Sequence, residues 1–144
     1  MNITIQDALR NLLNDNATLQ GTPYLGGTDR VIVGWINQDT VVPCITIYEA
    51  DESSTLRPGY KVYKHRDNAP AIHIDTWINR NANSGPTTSR DLNVIADYAE
   101  WLIFTTGITS TRSWRRTSSN ELLDNANSYL HKARTYGFEY SVTD

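Results

Sequence analysis

The chain holds one cysteine, Cys44, among its 144 residues, so no disulfide can form within it. Its stability must rest on packing, and the single thiol fits a reducing compartment. There are three histidines, His65, His73 and His131, and none has a second histidine or cysteine at metal-ligand spacing. A metal site needs three or four convergent ligands, so no metal site is expected. No stretch approaches the roughly 18 apolar residues of a membrane span. Met1 to Leu13 is interrupted by Asp7 and Arg10, which does not suit a secretory segment. These absences predict a soluble protein made in the cytoplasm, with no membrane partner. A basic excess is also missing: Lys and Arg number 13 against 16 Asp and Glu, giving a net charge of -3. That disfavours a general nucleic-acid binder, which carries a basic field.

Catalytic signatures are scarce too. The chain has no Gly-x-Ser-x-Gly elbow and no phosphate-binding glycine motif. Cys44 follows Pro43 at the start of an apolar run, where a cysteine reads as a small buried hydrophobe. His73 and Asp75 fall on one face of a predicted strand. Such a pair can orient an imidazole for base or metal chemistry; the plainer reading is a His–Asp hydrogen bond on a half-exposed sheet. We therefore expect no catalytic residues, no cofactor and no enzyme.

What is present is one domain's worth of alternating and helical patterns. Ile5, Ala8, Leu9, Leu12 and Leu13 form a helical stripe, with Thr4 and Asp7 as a capping pair. Gly21 to Gly27 reads as a loop. Arg30–Ile36 is β-branched and aromatic and predicts a strand, with Gly34 as a bulge or a close backbone approach. Cys44–Glu49 predicts a second. Residues 50–69 read as a projecting hairpin arm, with Tyr60–His65 as a strand that has no clean apolar face. Ala71–Asn79 gives the clearest alternation. Ser89–Thr105 is the main helix, capped by Thr88 with Asp91 and closed by Gly107. Thr109–Ser118 and Tyr129–Val142 predict two closing strands, joined over 119–128 by a long polar connection or one turn of helix. Tyr136, Phe138, Tyr140 and Val142 share the inner face of the last. The sum is an α+β fold: a mainly antiparallel sheet packed by one long and one short helix.

Some residues exceed what one core needs. The main helix carries Leu92, Ile95, Ala96, Ala99, Leu102 and Ile103 on one stripe and Val94, Tyr98 and Trp101 on a second. A second stripe either joins the core or meets another subunit. Arg112, Trp114 and Arg116, and Arg57, Tyr60, Lys61, Tyr63 and Lys64 in the arm, combine positive charge with aromatic rings. Such groups hold phosphates and stack bases, or they form a solvated face with the ring under arginine stems.

The order of elements resembles the tail terminator family of long-tailed phages, also called tail completion or minor tail proteins. The likeness runs from Gln6-Asp7-Ala8-Leu9-Arg10-Asn11-Leu12-Leu13 through Val42-Pro43-Cys44-Ile45-Thr46-Ile47-Tyr48-Glu49. It continues in Ala71-Ile72-His73-Ile74-Asp75-Thr76-Trp77 and in the helix from Ser89-Arg90-Asp91-Leu92 to Ile103. It closes on Tyr136-Gly137-Phe138-Glu139-Tyr140. The arm looks longer than in many members. The resemblance implies a homohexameric ring that caps the head-proximal end of the tail tube. The ring stops tube polymerisation and joins the tail to the neck or connector. Its partners would be its own copies, the tail tube protein and the neck protein, with DNA only passing through the lumen. Its place would be the tail–neck junction of the virion. The subunit or partner interface would then draw on Arg57, Tyr60, Lys61, Tyr63, Lys64, Val94, Tyr98, Trp101, Arg112, Trp114 and Arg116. The alternatives are another head–tail joining protein, a small nucleic-acid-binding module, and a metal-dependent enzyme using His73 and Asp75.

Overall fold

A computed structural model describes residues 4–49, 71–124 and 126–140. The expected arm, with its strand at 60–65 and the residues Arg57, Tyr60, Lys61, Tyr63 and Lys64, lies outside the described residues, as does Val142.

Helix α1 spans Ile5–Asn14. Thr4 caps it by accepting from the Asp7 N–H at 3.1 Å. The hydroxyl in turn donates to the Asp7 carboxylate at 2.9 Å. Leu9 and Leu13, one helical turn apart, are fully buried. A single turn, α2 (Ala17–Gln20), follows, with Asn16 as its cap. The sequence pattern reads this turn as loop because it is too short to show a period.

Among the described residues five strands form one sheet: β1 (Val31–Val33), β2 (Cys44–Glu49), β3 (Ala71–Asn79), β4 (Thr111–Asp124) and β5 (Tyr129–Tyr140), in the order β1-β2-β3-β5-β4. Of these pairings only β1–β2 is parallel. Strand β1 is shorter than the predicted Arg30–Ile36. Gly34 ends it at φ +120, a conformation that L side chains avoid. No atom crowds the space where a side chain would stand, so the backbone angle and not a close approach calls for glycine. The outer edge of β1 does not stay bare. The Asn14 side chain accepts from the Val31 N–H at 3.3 Å and donates to the Val31 carbonyl at 3.4 Å, occupying groups that would otherwise template another strand.

Helix α3 (Ser89–Thr106) carries the predicted capping box. Asp91 accepts from the Thr87 and Thr88 N–H groups at 3.0 and 3.2 Å, which together with the Thr88 hydroxyl hold its carboxyl below the usual range. Gly107 closes the helix at φ +78. The stripe Leu92, Ile95, Ala99, Leu102 and Ile103 packs with Ile45, Ile47, Ile72, Ile74 and Ile78 of the sheet in one core.

Strand β4 departs from expectation. The polar connection predicted over 119–128 is strand as far as Asp124, paired Ser119↔Arg134 through Asp124↔Tyr129. Apolar alternation is missing because residues 117–123 are exposed on both faces. The ladder to β5, and not burial, makes them a strand. Register shifts at Arg112/Arg115 and Arg116/Ser118, with Ser113 at φ 57, break the period further.

Candidate functional site

Two features stand out from a plain core. The first is the solvent face of α3. Val94 and Trp101, two turns apart, are 41% and 56% exposed, and Phe104 is 42% exposed. Tyr98, expected in the same stripe, is spent within the chain. Its ring stacks between Tyr24 and Trp101, with centroids at 4.7 and 5.8 Å, and its hydroxyl donates to Asn16 at 3.3 Å. The outer stripe is thus Val94, Trp101 and Phe104. Phe104 lies outside the stripe read from the sequence, and its ring leans edge-on against Tyr136.

The basic residues of β4 stay exposed but are tied within the chain. Arg116 pairs with Glu100 of α3 at 3.3 Å, and Arg112 pairs with Glu139 at 3.3 Å on the exposed ladder. Trp114 stacks on Phe138 at 4.4 Å and donates its indole N–H to Thr111 at 2.7 Å. Beneath them, the buried Arg134 reaches Asp97 at 2.8 Å and Glu100 at 3.6 Å. Tyr136 donates to the same Glu100 at 2.9 Å. Glu100 therefore gathers two arginines and a phenol, tying α3 to β4 and β5. Arg115 lies over Gly137, where a β-carbon would come within 3.2 Å of the guanidinium.

The second feature is the sheet face opposite the helices. It carries Thr46 and Tyr48 from β2, His73, Asp75 and Trp77 from β3, and His131 from β5, aligned by the registers Tyr48↔His73, Thr46↔Asp75 and Trp77↔His131. The expected His73–Asp75 bond is not made. His73 bonds the Thr135 hydroxyl at 2.8 Å and stacks on Tyr48. Asp75 is fully buried and accepts from the Tyr48 hydroxyl at 3.0 Å. His131 Nε2 stands 3.9 Å from the same carboxylate. Trp77 donates to Thr46 at 3.0 Å and lies flat against the His131 ring at 4.0 Å. Trp35, just past the Gly34 turn, leans edge-on over Tyr48, Trp77 and His131.

Burial sets the charges here. It pushes the Asp75 carboxyl up to about 6, although the Tyr48 hydroxyl and the Arg134 backbone oppose it. It holds the imidazoles of His73 and His131 below their ordinary value, and it raises the Tyr48 phenol, with Asp75 adding to the effect. Cys44, on the same strand face, is driven up to about 12 by burial, which keeps its thiol protonated and unreactive. Among the described residues no three His, Cys, Asp or Glu side chains gather as ligands. No described helix is long and apolar enough to cross a membrane. No protein-family model matches the chain, and no curated protein matches it.

Proposed function

We propose that the chain is a structural subunit of a phage tail, a ring-forming terminator that caps the head-proximal end of the tail tube and joins it to the neck. The observation that carries this reading is the solvent face of α3. The helix seats one apolar stripe in the core and leaves Val94, Trp101 and Phe104 outside it. Asp97, which stands among them, is paired with Arg134 at 2.8 Å, and exposed aromatic groups are enriched at interface centres. The order of elements supports the terminator family in particular.

The mechanism is physical. A ring closes when one patch of a subunit meets a different patch of its neighbour, a heterologous contact whose rotation returns to the start. Bound at the tube end, such a ring offers the tube protein a surface it cannot extend, while a different surface meets the neck. The side chains that touch neighbours do the work, with no bond made or broken.

The test is the mass of the purified protein in solution, alone and with tail tubes, joined to electron microscopy of the tube ends. A ring-sized species, or a monomer that becomes a ring only at tube ends, supports the proposal. A strict monomer that ignores tubes turns the reading toward a neck adaptor.

A further inference from the structure

We propose that Asp75 and His131 form a proton-operated latch between β3 and β5 whose state sets how Trp35 lies on the outer face of the sheet. The inference concerns this side of the sheet and stands apart from the assembly role.

Three observations meet at this pair. First, both groups are buried. Asp75 Oδ1 and His131 Nδ1 make no hydrogen bond among the described residues, while the oxygen that faces His131, Oδ2, already accepts from Tyr48 and would be shared in the closed state. Second, the two are held just out of hydrogen-bonding reach, with 3.9 Å between His131 Nε2 and Asp75 Oδ2. A charge-assisted hydrogen bond spans roughly 2.7–2.9 Å, so closing this one moves the groups together by about 1 Å. Third, the His131 ring cannot move alone. It is stacked on Trp77 at 4.0 Å, and Trp35 rests against it at 6.3 Å.

One proton from solvent decides between the two states. Without it the pair is a carboxylate beside a neutral imidazole, a buried net charge eased by the Tyr48 hydroxyl and the Arg134 backbone. With it, the pair is neutral overall, and a single hydrogen can bridge oxygen and nitrogen whichever of them carries it. Among the described residues, the other ionisable groups on this face are Cys44 and Tyr48 on β2 and His73 on β3. Asp124, at the end of β4, favours a charged His131. His73 bonds Thr135 through one ring nitrogen and still protonates on the other, below its ordinary value, so His73→Gln takes it out of the titration; Tyr48 and Cys44 stay protonated across the range. Burial of Asp75 places the pair's own transition in mild acid. Gly34, at φ +120, directly precedes Trp35 in the chain.

Tryptophan emission titrated from about pH 5 to 8 reads the latch, since both indoles touch the ring that moves. The expected result is a transition near pH 6 in the unaltered protein. It is lost in Asp75→Asn, kept in His73→Gln, and reduced in amplitude at an unchanged midpoint in Trp35→Phe. The same transition in Asp75→Asn overturns the proposal. A second reading needs no variant: the side-chain carboxyl carbon of Asp75 and the ring nitrogens of His131, followed by NMR. Their signals should shift together through one midpoint. A carboxyl titrating at its ordinary value, about 3.9, with His131 unmoved, overturns the latch.

Discussion

At the scale of single residues, Asp75 carries a cost, a carboxyl buried on the sheet face. Its carboxyl sits near 6 in the folded chain against an ordinary 3.8. Between those values the folded state binds more protons than the unfolded one, so this residue's contribution to stability is full below pH 3.8 and is lost as pH rises through 6. The difference corresponds to about 3 kcal/mol at neutral pH. Asp75→Asn should therefore unfold at higher denaturant than the parent at pH 7, and the gap should close in acid. Chemical denaturation at several pH values checks it; a variant less stable at pH 7 would refute the assignment. Trp101 makes the opposite case. More than half exposed, it should accept Trp101→Glu with a change in stability within about 0.5 kcal/mol. If that variant keeps the parent's melting temperature but no longer self-associates or binds tube ends, the outer face of α3 is the contact. Assembly at the parent's level would sink that role.

At the scale of elements, the sequence is legible where one face is apolar and the other polar. The strands at Cys44–Glu49 and Ala71–Asn79 and the core stripe of α3 follow from alternation and from period 3.6, and so do both capping pairs. It is illegible where neither face is buried, as in the far half of β4, or where a turn is too short for a period, as in α2. The outer sheet face escapes for another reason. Asp75 and His131 stand 56 positions apart in the sequence, and only the β3–β5 register brings them together; no local pattern announces a pair made that way. The same holds for Glu100, whose partners Arg116, Arg134 and Tyr136 come from two strands. Glu100→Ala should cost about 2 kcal/mol, the worth of a charged hydrogen-bond set partly replaced by Asp97. Thr88→Ala, which removes the cap of α3, should cost about 1 kcal/mol. Thermal or urea unfolding measures both, and a neutral Glu100→Ala would show that α3 is held by its apolar stripe alone.

At the scale of the whole molecule, helices and sheet leave two surfaces with different characters: an apolar helical flank and an aromatic sheet face tuned by a buried acid. The second helical stripe in the sequence draws attention to the first through Val94 and Trp101; the fold adds Phe104 and ties Tyr98 to Tyr24 and Asn16. The basic cluster of β4 reads in sequence as a surface for phosphate or partners. In the fold, Arg116 is bound to Glu100 and Arg112 to Glu139, so less free positive charge faces solvent than composition suggests.

The strand order has a consequence for how the chain comes into being. Strand β3 lies at the centre, and one of its neighbours, β5, is joined to it through Asp75↔Ala133 across most of the second half of the sequence. A nascent chain synthesised as far as Asp124 has made α3, which needs the sheet to cover its inner stripe, yet β3 still has an open side. Contacts between residues so distant in sequence close slowly, whereas β4 and β5 meet across a tight turn and can pair as soon as both exist. β3 therefore gains its second neighbour only once β5 has been made. Until then its free edge presents unpaired backbone N–H and C=O groups, a template on which another strand could pair.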